Sequence, residues 1–346
     1  MVWNQRGGSG TMLMPFIKAL YDPQASLPQE SMLYEKALEE IKRYSIGSQM
    51  HALIHQQGKW AQVPTFFQER LKQFSDETRC LNFFIKNQLD QILRQFETSH
   101  ISIIPLKGVR FAEKYFGHFG ARATSDIDVL IQKSDLDIAI RCLKSLGFDI
   151  EELRSPAHFH WSFSKRLPSS PIPLTVELHW NVLVEQTSNI NMSEFWEHAT
   201  PFASYQNVKE LSVYHTFYMI CLHGWSHYMD SPKYYMDIMQ MLHRHPDDIN
   251  FEVLFKDAAS HQTLRRIHRT LVNVYGHFPH LGDIKELPVS YKKASSTSGS
   301  RYWVALANKI HNKFFNFDSA SHTCAALIHA FYNLGNSRFS SRIKKF

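Results

Sequence analysis

Two carboxylates one residue apart, Asp126 and Asp128, stand in the run Arg122-Ala-Thr-Ser-Asp-Ile-Asp-Val-Leu-Ile131. The β-branched apolar residues around them predict a buried strand. Side chains alternate across a strand, so both acids project from one face and Ile127, Val129 and Ile131 from the other. Two acids on a buried strand repel each other and are costly to desolvate. A divalent cation relieves that strain. Hard cations such as Mg²⁺ take carboxylate oxygens together with substrate phosphates, so the pair points to phosphoryl or nucleotidyl chemistry. Asp-x-Asp pairs also occur in loops and at helix starts, so the flanking segments decide.

Upstream, Ile101-Ser-Ile-Ile-Pro-Leu106 predicts a strand running into Lys107-Gly108 and then a helix, Val109-Arg-Phe-Ala-Glu-Lys-Tyr115. A strand–Gly–helix turn offers free backbone N–H groups and a positive dipole end to phosphate. Downstream, Leu174-Thr-Val-Glu-Leu-His-Trp180 alternates, with Thr175, Glu177 and His179 on one face. Before it, His158-Phe-His-Trp-Ser-Phe-Ser164 also has period two, and Pro168-Ser-Ser-Pro171 turns it back as a hairpin. His158 and His160 then lie on a polar face near Glu177 and His179, either as substrate contacts or as ordinary exposed positions.

These residues resemble the nucleotidyltransferase superfamily that includes DNA polymerase beta, and within it the bacterial group of uncharacterised nucleotidyltransferases. The resemblance covers roughly residues 80 to 280. It rests on Leu106-Lys-Gly108, a helix ending at Tyr115, Arg122-x-x-Ser125-Asp-Ile-Asp128, Glu177-Leu-His179-Trp180, His223-Gly-Trp225 and Asp237. It implies an α+β fold in which a small mixed sheet, the nucleotidyltransferase core, is flanked by N- and C-terminal helical regions. It implies Mg²⁺ (or Mn²⁺) at Asp126, Asp128 and Glu177, with Glu177 as third acid and acceptor-side base. Lys107 and Gly108 would hold the triphosphate of an NTP substrate, with Arg122 and Ser125 as further phosphate contacts. His179, His223 and Asp237 would help to hold the nucleotide or acceptor. The superfamily's usual Gly-Ser or Gly-Gly pair is here Lys107-Gly108, which replaces a hydroxyl by a point charge. The implied reaction transfers a nucleoside monophosphate to an acceptor (peptide, small molecule or nucleic acid) and releases pyrophosphate. Two alternatives remain: a tailoring enzyme using the same metal site on a (phospho)peptide or small molecule, and a catalytically idle nucleotide-binding scaffold.

The elements that must position these residues divide the chain into five parts. Residues 1–14, with Gly7-Gly-Ser-Gly10, read as a flexible leader or expression remnant. Residues 15–98 are helical, with Phe66, Phe67, Leu71 and Phe74 and then Leu81, Phe83, Phe84, Leu89, Ile92 and Leu93 as apolar stripes. Residues 99–182 form the core, its sheet carrying helices on one side; Ser134 is the expected N-cap of a helix that Gly147 closes. Residues 183–284 return to helix and complete the cleft. There Asp237 sits on an apolar face and needs a partner, for which His223 and Lys233 are the candidates.

Residues 285–346 carry ten Lys/Arg against two acids, a local +8 in a chain of net +6. The polar linker 294–300 precedes two amphipathic stretches, 303–314 and 325–334. A basic end of this kind either contacts a polyanion or packs the fold with a solvated basic face, and packing is the expectation. The chain's 346 residues, 44% hydrophobic, suffice for a large core. Four cysteines without C-x-x-C spacing argue against a disulfide framework or zinc ribbon and for a reduced, cytoplasmic protein. His51 and His55 read as ordinary helix histidines, since no H-E-x-x-H is present. No run of about 18 apolar residues occurs, so no membrane partner is expected.

Overall fold

The computed structural model describes residues 12–151, 159–166, 173–288 and 317–330. His158, the 168–171 turn, the 294–300 linker and the stretch 303–314 lie outside the described residues. The chain opens with α1 (Leu13–Tyr21), α2 (Ser31–Tyr44), α3 (Gly47–Gln56) and α4 (Thr65–Thr98). Helix α1 starts inside the stretch assigned to a leader. Leu13, Phe16, Ile17 and Leu20 fall at i, i+3, i+4 and i+7 and all are buried, so apolar periodicity carries the fold back to residue 13.

Helix α4 is one 34-residue rod joining two cores. Its early face buries Phe67 and Leu71 among the N-terminal helices, and its later face buries Ile85, Leu89, Ile92 and Phe96 under the sheet. The expected second stripe is therefore narrower. Leu81 and Phe83 lie off the Asn82–Ile85–Leu89 face and are more than half exposed.

The sheet contains β1 (Ile103–Pro105), β2 (Asp126–Ile131), β3 (Asp149–Ile150), β4 (His160–Lys165) and β5 (Leu174–His179), in the order β1-β2-β5-β4-β3. Strands β2 and β5 are parallel and the other pairs antiparallel. Helix α5 (Val109–Phe116) connects β1 to β2, and α6 (Leu136–Ser145) connects β2 to β3. Ser134 is not the cap of α6. It lies in a 3₁₀ turn, Lys133–Asp135, and Asp135 takes the cap position without a side-chain bond. Gly147 follows the helix at φ +83°, a left-handed conformation that glycine adopts without a Cβ penalty.

One sheet face is apolar: Ile127, Val129, Ile131, Val176, Leu178 and Phe163 pack on the later part of α4 and on Ala139 and Leu143 of α6. The other face carries the polar rows, but its Leu130 and Ile104 join the larger core. That core includes α8 (Val213–Ser226), α9 (Pro232–Arg244), α10 (Phe251–Ser260) and α11 (Leu264–His277), which follow α7 (Met192–Glu197). Helices thus cover both faces, not one, because the apolar end of the polar face also needs burial. Beyond α12 (Leu281–Ile284), residues 320–330 are helical. Phe317 is buried against Trp225, and Asp318 accepts from the Arg265 N–H. The fold is α+β, as the pattern of elements predicts.

Candidate active site

Parallel pairing of β2 with β5 sets Asp126 opposite Thr175 and Asp128 opposite Glu177; β4 adds Ser162 opposite Glu177 and His160 opposite His179. Directly paired residues point to the same side of a sheet, so Asp126, Asp128, Glu177, His179 and His160 share one face. The turn between β1 and α5 meets that face. Its Leu106 N–H donates to the Asp128 carbonyl at 3.0 Å, and Lys107 Nζ lies 3.3 Å from Asp128 Oδ2.

Gly108 has φ +71° and ψ −137°, a region essentially restricted to glycine. A Cβ there would stand 3.2 Å from Thr124 Oγ1. Gly108 is also the N-cap of α5, and no side chain caps that helix, so its first N–H groups are left for an anion.

Asp128 is buried and bound on both oxygens: Oδ2 faces Lys107, and Oδ1 accepts from His179 Nε2 at 3.1 Å. Burial alone would raise its carboxyl, but the Lys107 charge and the His179 bond outweigh it and hold the group well below the usual carboxylate range. Asp126, which lacks such bonds, goes the other way, pushed up by burial and then by the Asp128 charge. His179 is lowered by burial, but its bonds to Asp128 and Glu177 prevail and raise it. Lys107 and His179 stand against Asp128 from two sides, and His179 also meets Glu177. Asp126, Asp128 and Glu177 offer carboxylate oxygens, the donor type hard cations such as Mg²⁺ take, on one face, but the donor atoms that lie within 4.8 Å of one another among the described residues are those of His160, Glu177 and His179.

Lys107, His160, Glu177 and His179 line a cleft of about 670 Å³ between the sheet and α8, whose far wall includes His223, Trp225, and Ala326 and Ala330 of the 320–330 helix. His223 is kept neutral by burial and by the nearby Lys107 charge. His227 stacks on Tyr234, with ring centroids 5.3 Å apart and an interplanar angle of 15°.

Arg122 and Asp237 meet each other, not the cleft: Nε and Nη2 donate to the two carboxylate oxygens at 2.7 Å each, with both side chains buried. Asp237 is thus partnered neither by His223 nor by Lys233, because a guanidinium fork matches a carboxylate in two bonds. Gln49 Nε2 lies 3.4 Å from Asp237 Oδ1. Ser125 is exposed just before β2. Lys233 donates to the Ala123 carbonyl at 2.8 Å, and burial followed by the Arg122 charge pushes its amine down to about 7. Sequence reasoning saw Lys233 only as a partner for Asp237. It read the amphipathic stretch at 325–334, of which the described part is helical, but did not place that helix on the cleft, and it missed the His227–Tyr234 stack, for which no local pattern is a signal.

No curated protein and no solved structure matches the chain. Residues 34–278 match the family described as uncharacterised nucleotidyltransferase. The match begins within α2 (well before the residue-80 start of the motifs) and so takes in α3 and α4 together with the acid-bearing sheet. It takes in more than half of the sequence, and the chain therefore belongs to the uncharacterised nucleotidyltransferase family.

Proposed function

We propose that the chain is a metal-dependent enzyme that transfers a nucleoside monophosphate from an NTP to an acceptor bearing a nucleophilic hydroxyl and releases pyrophosphate. The observation that supports this reading most is the shared face of Asp126, Asp128 and Glu177 beside the Lys107-Gly108 turn. Asp126, Asp128 and Glu177 would hold Mg²⁺ or Mn²⁺, which when bound neutralises the triphosphate and favours loss of pyrophosphate. Lys107 would leave Asp128 for the phosphates, and the N–H groups of the first turn of α5, which no side chain caps, would donate to phosphate oxygens. Glu177, the most exposed of the acids paired here with histidine, takes the acceptor's proton as its oxygen bonds to the α-phosphorus. Neutral His223 and the His227–Tyr234 stack give the cleft a wall on which a nucleobase can lie. Arg122 and Asp237 act as supports: their pair ties the segment leading into β2 to α9. Unpaired cysteines at 80, 142, 221 and 324 suit a reducing cytoplasm.

The test measures pyrophosphate release from ATP, GTP, CTP and UTP with a pool of cellular acceptors, with and without Mg²⁺, in the intact chain and in Asp128→Asn. Metal-dependent release that Asp128→Asn abolishes is expected. Release that survives in the variant, or nucleotide binding that is indifferent to metal and never followed by turnover, overturns the reading.

A further inference from the structure

His160 and His179 face each other across β4 and β5, with ring centroids 4.7 Å apart. Both rings turn Nε2 toward Glu177: His160 reaches Oε1 at 3.6 Å and His179 reaches Oε2 at 3.2 Å. His179 Nε2 also lies 3.1 Å from Asp128 Oδ1. One donor atom each from His160, Glu177 and His179 falls within 4.8 Å of the others. Both histidines are buried, yet with Glu177 they line the cleft.

An imidazole Nε2 carries at most one proton, but the His179 nitrogen faces two carboxylate oxygens at nearly equal distance. One hydrogen bond cannot serve both well. A cation between them can. Zinc–ligand bonds of about 2.0–2.1 Å at tetrahedral angles separate neighbouring donors by about 3.3 Å. The two imidazole nitrogens stand 3.2 and 3.6 Å from the two Glu177 oxygens, on either side of that value, and the donor set as a whole lies within 4.8 Å. Two imidazole nitrogens are a poor shell for Mg²⁺, which prefers oxygen and dehydrates reluctantly. They suit zinc and its neighbours.

We propose that His160, His179 and Glu177 form a binding site for a borderline divalent transition ion of the zinc class, with Asp128, 3.1 Å from His179 Nε2 but outside that group of three, as the neighbour that would have to move to become a fourth ligand. This site is distinct in ligand type from a hard-cation site at Asp126 and Asp128. It shares Glu177 with the proposed transfer centre, so its test reads metal binding and not turnover.

The full-length chain is stripped with chelator and titrated with Zn²⁺, and with Co²⁺ as a coloured substitute, in a large excess of Mg²⁺. One tight equivalent per chain is expected, with visible Co²⁺ bands of a four- or five-coordinate site that Zn²⁺ bleaches. His160→Ala and His179→Ala should each weaken it at least about tenfold. X-ray absorption at the zinc edge of the wild-type chain should show two imidazoles, and this reading holds even if a variant fails to fold. An all-oxygen shell, displacement of Zn²⁺ by Mg²⁺, or unchanged affinity in both folded variants overturns the proposal. Asp126→Asn separates the two readings, since it should stop pyrophosphate release and leave Zn²⁺ bound. A wild-type chain that binds Zn²⁺ but never releases pyrophosphate would remove the transfer reading alone.

Discussion

Gly108 and Lys233 each behave unlike the same residue on an open surface, one in its backbone and the other in its charge. Gly108→Ala forces a side chain into a glycine-only conformation 3.2 Å from Thr124 Oγ1, so a loss of about 1–3 kcal/mol is expected in denaturant unfolding. Because the same turn carries Lys107, nucleotide affinity should fall in the variant by more than that stability loss alone explains. Lys233, with its amine pushed down to about 7, should react with acetic anhydride with a pH midpoint near 7, against an ordinary lysine midpoint of about 10.4. Peptide mass spectrometry across pH reads this directly, and a midpoint above 9 would contradict the burial argument. The stability sign follows. The unfolded chain holds the Lys233 proton up to about 10.4 and the folded chain only to about 7, so the cost of burying the charge is full below pH 7 and is relieved as pH rises between the two values. Wild type should therefore gain on Lys233→Met over that range.

At the scale of elements, the Arg122–Asp237 pair locks the entry of β2 to α9, and Asn82 of α4 adds bonds to the Phe119 and Arg122 carbonyls. Asp237→Ala leaves a buried guanidinium uncompensated, so unfolding free energy should drop by about 3–5 kcal/mol. The pairing of a replaced Arg122 with a replaced Asp237, Arg122→Met with Asp237→Leu, should recover much of that loss. A small effect of Asp237→Ala alone would show that water already reaches the pair. The helices themselves, the strand alternation and the Lys107-Gly108 turn were readable from local pattern, since each depends only on neighbours three to four or two residues away, whereas the stripe on α4 came out narrower, leaving Leu81 and Phe83 exposed. The cap of α6 was not, because a 3₁₀ turn inserted ahead of the helix moves Ser134 off the cap position.

For the whole molecule, the C-terminal region decides whether the cleft is closed on its far side. Phe317 packs edge-to-face on Trp225, the Arg266 guanidinium lies over both rings, and the 320–330 helix lines the cleft. Deletion after Tyr291 should therefore lower the melting temperature and expose apolar surface to dye. If the basic end instead served a polyanion, the truncated chain would stay folded and the intact chain would bind RNA or DNA with a steep salt dependence. No helix among the described residues is long and apolar enough to cross a membrane.

Sequence alone determined which acids share a strand face, where a glycine turn into a helix lies, and that helix flanks a small sheet, because hydrophobic period and turn chemistry are local. The tertiary structure decided which distant residues meet. Strand register sets Asp128 against Glu177, 49 positions on, and brings His160 and His179 around the same carboxylate. A fork of two bonds joins Arg122 to Asp237 across 115 positions and withdraws both from the cleft. Such pairings follow from burial and charge balance summed over the whole chain, and no window of neighbouring residues contains that sum.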